Sequence, residues 1–347
     1  MSEQGTLGKT GLCFPTIIYG TSFLGNLYRE LTEDEKMAIM KAWFHESEGP
    51  VMIDSAGKYG AGLALEVIGA GLEKLGVHPE KVIISNKLGW YRVPLEGSEP
   101  SFERGVWANL RFDAVQKISY NGILKCWKQG NNLLGGRYKS EVVSVHDPDE
   151  YLAGASNEQE REERLEDIVE AYQALFELKN KGLVRAVGIG AKDWAVIREL
   201  SHRIGFDWVM FANSFTIYNH PAELLRFMDE LEQDGVCVIN SAVFNAGFLT
   251  GGAYFNYRKL NPELPEDRQL FRWRDNFFRI CSKHNVKPGD ACLKFGISPH
   301  AVKGVALNPS KPERIADNRR VLENTLPTDF WKELKNEGII SRNYPYL

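Results

Sequence analysis

Short hydrophobic runs and longer amphipathic stretches alternate along most of the chain. The short runs are rich in Val and Ile and lack regular polar alternation, which is typical of strands buried on both faces. They predict eight strands, at residues 15–18, 51–54, 81–85, 141–145, 184–189, 208–212, 236–239 and 301–306. The amphipathic stretches predict a helix after each strand, at residues 32–47, 63–75, 120–134, 161–181, 194–203, 222–233, 267–283 and 313–324. The first helix opens on Thr32-Glu33-Asp34-Glu35, which has the pattern of a capping box.

Strict alternation of strand and helix predicts parallel strands, because a hairpin cannot connect parallel neighbours. Eight such units favour a closed (β/α)8 TIM barrel, and an open doubly wound sheet is the alternative of similar length. The chain is longer than the roughly 250 residues of a plain barrel. Much of the excess falls in long loops after strands three and seven, residues 88–119 and 251–266. The pattern contains no linker-like stretch, so we expect residues 1–347 to form a single domain.

The composition is that of an ordinary globular protein, and it narrows the functional classes. Of the 347 residues, 43% are hydrophobic, and the net charge of −4 offers no basic excess to hold a nucleic-acid backbone. Five cysteines without a CxxC pair disfavour a disulfide framework or a zinc site and favour a reducing compartment. Residues 1–10 lack the apolar core of a signal peptide, and the chain has no long apolar run. We therefore expect a cytoplasmic protein that binds neither nucleic acid, membrane nor metal.

Four polar side chains stand at or just after the ends of neighbouring predicted strands. Asp54 ends the second strand, Lys87 follows the third, His146 follows the fourth, and Tyr59 comes five residues after Asp54. The carboxyl ends of parallel barrel strands form one rim, so we expect these side chains to converge there. Each alone is also consistent with a helix cap, a solvated charge or a hydrogen-bonded histidine. Their occurrence together on three neighbouring strands favours an active site.

Such a set suits proton transfer at a carbonyl or hydroxyl oxygen. The phenol of Tyr59 has an ordinary pKa of about 10, and a Lys87 ammonium beside it would lower that pKa by stabilising the phenolate. Asp54 would hold Lys87 charged and in place, and His146 would hydrogen-bond a substrate oxygen. A phenol tuned in this way predicts reversible hydride transfer with a nicotinamide cofactor.

The sequence resembles the aldo-keto reductases in motifs that occur in the family's order. The motifs are Asp54-Ser55-Ala56 with Tyr59-Gly60, Gly69 in the following helix, Ser85-Asn86-Lys87, and His146. The resemblance implies a (β/α)8 barrel with NAD(P) bound at its carboxyl mouth. It also implies that Tyr59 is the general acid/base, that Lys87 and Asp54 tune it, and that His146 orients the substrate oxygen.

The resemblance extends to segments that bind the cofactor in this family. Gly20 and Thr21 match its first cofactor loop, and residues 307–318 resemble the segment that holds the adenosine phosphate. The residues implied in that segment are Lys311, Arg314, Asp317 and Asn318. Lys311 and Arg314 are equally consistent with ordinary charges at a helix start, which is itself a good anion site. Asn308-Pro309 replaces the Lys-Ser pair typical of strict NADPH users, so the choice between NAD and NADP stays open.

The chain departs from the family pattern around the nicotinamide. The family's usual Ser-Asn after strand five, Gln at strand six and Tyr after strand seven are replaced here. The replacements are Gly190-Ala191, Ala212 and Ser241. We take Asn213, Ser241 and Phe244 as the candidate nicotinamide contacts, with Asn240 and Phe215 as alternatives.

These departures resemble one branch of the family, the D-threo-aldose 1-dehydrogenases, which are also called L-fucose or galactose dehydrogenases. The resemblance rests on His146-Asp147-Pro148-Asp149, Gly188-Ile189-Gly190, segment 238–247 and the long insertion after strand three. That branch oxidises the anomeric hydroxyl of an aldopyranose to a lactone. Four aromatic residues are candidates to stack on a sugar, with packing under a loop as the alternative: Phe23, Trp90, Tyr91 and Phe244. Trp107 is expected to be a packing residue.

Three functions therefore remain open. The first is an NAD(P)-dependent sugar 1-dehydrogenase. The second is an NADPH-dependent reductase of aldehydes or ketones, or a pyridoxal 4-dehydrogenase. The third is a redox-sensing regulatory barrel, against which the intact Tyr59 and Lys87 argue. The expected partner is a small-molecule substrate, a sugar or an aldehyde, and the expected assembly is a monomer or a small homo-oligomer.

Overall fold

Eight parallel strands form a closed barrel in the computed structural model, which describes residues 4–45, 47 and 49–347. Residues 1–3 of the N-terminal segment and residue 46 of the first predicted helix lie outside the described residues. The barrel strands are β1 (Ile17–Gly20), β2 (Val51–Ala56), β3 (Val82–Leu88), β4 (Val142–His146), β5 (Ala186–Ala191), β6 (Trp208–Ala212), β7 (Cys237–Ser241) and β8 (Val302–Leu307). Each strand pairs with the next, and β8 closes on β1 through pairs such as Val305 with Ile17. The prediction of a (β/α)8 barrel is confirmed.

Helices cover the outside of the barrel. They are α1 (Glu33–His45), α2 (Leu63–Lys74), α3 (Tyr120–Leu133), α4 (Pro148–Ala153), α5 (Glu158–Asn180), α6 (Trp194–Ser201), α7 (Ala222–Gln233), α8 (Pro265–Lys283), α9 (Pro288–Gly296), α10 (Glu313–Glu323) and α11 (Thr328–Asn336). The predicted capping box is present: the Glu35 amide donates to Thr32 Oγ1 at 3.2 Å, and the Thr32 amide donates to Glu35 Oε2 at 2.7 Å. Of the described helices, none combines the length and apolar character needed to cross a membrane.

The first strand begins later than the sequence predicts. Pro15 belongs instead to a short antiparallel hairpin, Gln4–Thr6 with Cys13–Pro15, at the amino end of the barrel. Phe14 of this hairpin is 1% exposed and packs into the barrel interior with Ile18, Met52 and other inward-facing residues. Burial of a large apolar side chain stabilises by about 1.5–3 kcal/mol, so the hairpin acts as a plug. The opposite, carboxyl end is left for the site.

Both predicted long loops contain local structure at the carboxyl end. The insertion after β3 forms a hairpin of Trp90–Pro94 with Phe112–Gln116, and the insertion after β7 forms a small hairpin of Tyr254–Phe255 with Arg258–Lys259. The insertion after β3 packs its Phe102 and Trp107 with Leu27, which follows β1. The insertion after β7 reaches the same side through stacking of Tyr254 on Tyr28, with ring centroids 5.3 Å apart. The two insertions therefore wall the carboxyl mouth of the barrel.

Candidate active site

Asp54, Tyr59, Lys87 and His146 converge at the carboxyl rim, as the sequence predicts. The Lys87 ammonium donates a short hydrogen bond to Asp54 and lies 5.0 Å from the ring centroid of Tyr59. The His146 ring meets the Tyr59 ring edge-on, with centroids 5.6 Å apart. Ser85 Oγ donates to the second oxygen of Asp54 at 3.0 Å. Asp54, Lys87 and His146 are all at least 95% buried, so their positions are fixed by the barrel.

Close backbone packing fixes the position of Tyr59, which follows β2 in a loop. Gly25 and Gly60 lie on either side of this contact, and a Cβ added to Gly25 would come within 2.7 Å of the Tyr59 carbonyl carbon. Gly60 has a φ of +61°, and a Cβ there would come within 2.4 Å of the Gly25 carbonyl oxygen. A side chain at either position would push the loop that carries Tyr59 away from β1. The role of Gly25 was not predicted from the sequence.

Burial has the largest effect on the protonation of Tyr59, and this corrects the sequence-based expectation. Burial raises the pKa of the Tyr59 phenol to about 12, while the Lys87 ammonium opposes that rise and Asp54 adds to it. The cation therefore acts in the expected direction without bringing the pKa below its ordinary value. Burial lowers the pKa of Lys87, but Asp54 and Tyr59 raise it by more, so Lys87 remains a cation. The phenol is thus protonated at neutral pH and depends on Lys87 for access to the phenolate.

His146 is held in its neutral form. Burial lowers its pKa well below the ordinary range, and the ammonium groups of Lys58, Lys87 and Lys192 lower it further. A neutral imidazole offers one donor and one acceptor to a bound oxygen. Its Nδ1 has no hydrogen-bond partner among the described residues.

We therefore expect the His146 ring to show no titration around its ordinary pKa of about 6.5, because burial disfavours the charged imidazolium. The measurement is a pH series of NMR spectra on protein labelled with 15N in its seven histidines. A His146→Gln variant identifies the signal. A His146 resonance with a midpoint near 6.5 would contradict the electrostatic picture.

A cavity of about 1150 Å³ opens at this rim and contains most of the predicted site residues. Its wall includes the four residues above and, of the predicted cofactor and substrate contacts, Gly20, Thr21, Phe23, Asn213, Ser241, Phe244, Arg314, Asp317 and Asn318. Gly190, Ala191 and Ala212, which replace larger polar residues of the family pattern, also line it. One cavity therefore includes both Tyr59 and the residues at the start of α10.

Three predicted contacts do not line this cavity. Lys311 is exposed and is not among the residues that line the cavity, whereas Arg314 is. Trp90 packs on Phe102 with ring centroids 5.5 Å apart, and the Tyr91 ring lies 5.6 Å from the Lys117 ammonium. Both aromatics belong to the hairpin of the first insertion, where strand pairing turns them into packing residues. Trp90 and Tyr91, predicted to stack on a sugar, thus lie in this hairpin and are not among the residues of the cavity wall.

Two alternative nicotinamide contacts are also structural. Asn240 is fully buried and donates to the carbonyl oxygens of Phe215 at 3.0 Å and Gly296 at 2.9 Å. Phe215 is fully buried and stacks on Phe295, with centroids 5.3 Å apart. Of Asn213, Asn240 and Phe215, only Asn213 is therefore among the residues that line the cavity.

Several wall residues were not found from the sequence. They are Lys58, Glu103, Trp107, Asp147, Glu150, Lys192 and Tyr257. Trp107 packs with Phe102 and Leu27, as expected, and its ring centroid also lies 5.9 Å from that of Tyr59. Lys58 and Asp147 adjoin Tyr59 and His146 in sequence, and that adjacency was the available signal. Glu103 and Tyr257 come from the two insertions, whose folding the pattern did not predict.

The residues present fit a nicotinamide dinucleotide. Asn213 is 8% exposed, and its Oδ1 has no partner among the described residues, so the wall offers an unused acceptor for an amide group. At the far end, Ser310 and Arg314 lie beside the start of α10, where backbone N–H groups and the helix dipole favour a phosphate. Small side chains between these ends leave room for the dinucleotide.

A closed parallel barrel with a phenol, an ammonium, a carboxylate and an imidazole at its carboxyl rim defines a barrel oxidoreductase. Residues 16–337 match the model of the aldo/keto reductase family, and the chain belongs to that family. It is thus an NAD(P)-dependent oxidoreductase that acts on a small molecule.

Known dehydrogenases resemble this chain over nearly its whole length, at low sequence identity. A pyridoxal 4-dehydrogenase from Microbacterium luteolum is 25% identical over 354 residues, 98% of each chain. A D-threo-aldose 1-dehydrogenase from a Pseudomonas species is 24% identical over 351 residues, again 98% of each chain. The solved structure of a glycerol dehydrogenase from Gluconobacter oxydans has a TM-score of 0.68 at 16% identity, covering 96% of this chain and 94% of that chain. The structural likeness supports the fold.

Proposed function

We propose that this protein oxidises the anomeric C1 hydroxyl of an aldopyranose, of the L-fucose, D-arabinose or L-galactose type, to the lactone. The observation that carries the proposal is the contact of Tyr59 with both Lys87 and His146 at one cavity. The similarity to a D-threo-aldose 1-dehydrogenase supports the choice of an aldose.

The proposed roles follow from the positions of the side chains. His146, held neutral, hydrogen-bonds O1 of the sugar and directs it to Tyr59. The Tyr59 phenolate takes the proton from O1 while the C1–H bond breaks, so that the hydroxyl becomes the lactone carbonyl. NAD(P)+, when bound, supplies the acceptor for the hydride that leaves C1. Lys87 is a positioning residue that stabilises the phenolate, and Asp54 holds Lys87 in place.

The test is the absorbance at 340 nm with NAD+ and NADP+ in parallel, against L-fucose, D-arabinose, L-galactose and D-glucose. A rise with some of these sugars is expected, and the more effective nucleotide identifies the cofactor. No rise with any sugar would contradict the aldose assignment. A tight nucleotide complex with negligible turnover on all substrates would instead indicate a regulatory barrel.

A second candidate is oxidation of pyridoxal or, in reverse, NADPH-dependent reduction of an aldehyde. It is favoured by the similarity to a pyridoxal 4-dehydrogenase. The same Tyr59 would exchange the proton at the oxygen of the reacting alcohol or aldehyde. Pyridoxal and simple aldehydes with NADPH, and pyridoxal with NAD+, distinguish this activity from the first.

We further propose that Arg314 sets the affinity for a 2′-phosphate and that Asn213, Ser241 and Phe244 hold the nicotinamide end. Arg314 lines the cavity at the start of α10, where it is mostly exposed and lies 3.8 Å from Asp317. Its charge is therefore available to a phosphate and is partly balanced by a carboxylate.

Arg314→Ala is expected to weaken NADP+ binding by about tenfold, the scale of one charge-assisted hydrogen bond, and to leave NAD+ binding nearly unchanged. Dissociation constants from tryptophan fluorescence quenching measure both. Lys311→Ala is the matched control, since Lys311 does not line the cavity. Equal losses for both nucleotides would remove Arg314 from phosphate recognition.

We also propose that the chain is a single domain located in the cytoplasm. The carboxyl-terminal segment supports one domain, because Tyr344 stacks on Phe295 of α9 with ring centroids 4.7 Å apart. The five cysteines are all free thiols within the described residues, which supports a reducing compartment.

A further inference from the structure

A network of five charged side chains forms one wall of the cavity beside Tyr59 and His146. At its centre is Lys58, which is 4% exposed. Its ammonium lies 2.7 Å from Glu103, 3.1 Å from Glu150 and 3.5 Å from Asp147. Lys192 lies 3.6 Å from Asp147 and donates a short hydrogen bond to Glu150. We call Lys58, Glu103, Asp147, Glu150 and Lys192 the Lys58 network.

The Lys58 network reaches the reacting groups. Asp147 Oδ2 lies 3.6 Å from His146 Nε2, and Lys58 immediately precedes Tyr59. Glu103 also accepts a hydrogen bond from Trp107 Nε1 at 2.7 Å, and the Trp107 ring faces Tyr59. All five members of the network line the same cavity as the catalytic side chains. His146, which lines this cavity, also has a deeply buried Nδ1 without a partner among the described residues.

The network has more carboxylates than cations. Three carboxylates face two ammonium groups, so one negative charge is in excess. Burial lowers the pKa of Lys58, but Asp147, Glu103 and Glu150 raise it by more, so this cation stays charged and its charge is fully balanced by carboxylates. Nearby, Lys87 is balanced by Asp54. An anionic group entering this wall would therefore find each ammonium already paired and would face a surplus carboxylate in a partly desolvated space.

Hydroxyl groups suit such a wall. A hydroxyl donates to a carboxylate oxygen and accepts from an ammonium group, so it can join the network without adding charge. We propose that the Lys58 network is the subsite that receives the hydroxyl groups of an uncharged substrate and excludes its phosphate esters. This proposal rests on the proposed function, because Tyr59 and His146 mark where the reacting carbon lies relative to the network.

The test compares D-glyceraldehyde with D-glyceraldehyde 3-phosphate, which share the reacting aldehyde and differ in the phosphate. With the holoenzyme and reduced cofactor, we expect kcat/KM to be at least about tenfold higher for the uncharged triose, the scale of a charge repulsion in a partly buried site. Binding of the two compounds to the complex with the oxidised form of the preferred nucleotide, followed by tryptophan fluorescence, gives a second readout that needs no turnover. Equal values for the two compounds in both measurements would overturn the proposal, as would failure of both to bind.

Glu103→Gln tests the origin of the selectivity, because it removes one negative charge and keeps the shape. We expect the preference for the uncharged triose to fall by about threefold or more. Glu150→Gln, on the half-exposed side of the network, carries the same expectation if Glu103→Gln does not fold. The matched control is Glu232→Gln, whose partner is Lys303 at 2.6 Å, outside the cavity. An unchanged preference in Glu103→Gln and Glu150→Gln would overturn the assignment.

Different results would contradict the proposed function and the proposed role of the Lys58 network. If no sugar is oxidised, the aldose assignment is contradicted, but the comparison of the two trioses still applies because the trioses react as aldehydes. Oxidation of aldoses together with equal use of the two trioses would retain the proposed function and overturn the role of the Lys58 network.

Discussion

Tyr59→Phe is expected to lower the rate of substrate oxidation by at least ~100-fold, the scale of general acid–base catalysis. The substitution removes the phenolic oxygen that exchanges the proton and keeps the ring that contacts His146 and Trp107. Affinity for NAD(P)+ should stay within about twofold, because the proposed nucleotide contacts lie elsewhere on the cavity wall. Steady-state kinetics and a fluorescence titration with the nucleotide measure the two quantities.

Tyr120→Phe provides the matched control. The Tyr120 hydroxyl donates to Glu177 at 2.6 Å on the outer helices, and its loss should leave turnover near normal. Near-normal turnover in Tyr59→Phe would remove this phenol from the mechanism.

Lys87→Met is expected to lower activity and to move the pH at which oxidation appears upward by roughly one to three units, the usual effect of one nearby charge. The sign follows from the phenolate: Lys87 lowers the pKa of Tyr59, so its removal raises that pKa further and the phenolate forms only in more alkaline solution. A pH–rate profile of kcat/KM measures the shift. The same pH–rate profile in the unaltered protein and in Lys87→Met would contradict the role of Lys87 in lowering the pKa of Tyr59.

Lys87→Met should also destabilise the fold, and this effect has to be separated from its effect on the pKa of Tyr59. Lys87→Met leaves the 4%-exposed Asp54 carboxylate without its ion-pair partner, and breaking such a buried pair costs about 3–5 kcal/mol. The double variant with Asp54→Asn removes the unpaired charge and should recover much of that stability. Its pH profile should still be shifted upward, because Lys87 affects the pKa of Tyr59 more than Asp54 does. Lys303→Met, on the surface, is the control for the loss of a lysine.

Two strands extend further than the hydrophobic pattern of the sequence predicts. The predicted second and third strands stop at Asp54 and Ser85, whereas β2 and β3 continue to Ala56 and Leu88. The hydrophobic pattern stops early because polar residues follow, Ser55 in β2 and Asn86-Lys87 in β3. They are strand residues nonetheless, because their backbones pair across the barrel, as Ala56 does with Lys87. The polar side chains that end the hydrophobic pattern are the ones that build the site.

Three helices were missed because they are short. α4, α9 and α11 each begin after or at a proline, and each is no longer than nine residues. Segments of this length have too few turns to repeat a helical hydrophobic period in the sequence, even where one face is apolar, as in α11. They are stabilised by packing, as in the burial of Phe330 and Leu334 of α11 against the core.

The sequence by itself determined the barrel, Tyr59 and the three polar side chains around it. Strand–helix alternation is a local property, and so is the position of a polar residue at the end of a strand. The convergence of Asp54, Lys87 and His146 then follows from parallel neighbouring strands without further information.

Only the tertiary structure decided the environment of these residues. The raised pKa of Tyr59 depends on how much water is excluded by surrounding chain segments, and the Lys58 network joins residues up to 134 positions apart in the sequence. The insertions placed Trp107 and Glu103 on the cavity wall and Trp90 away from it. Burial and long-range ion pairing arise from contacts between distant segments, and such contacts leave no periodic signal in the sequence.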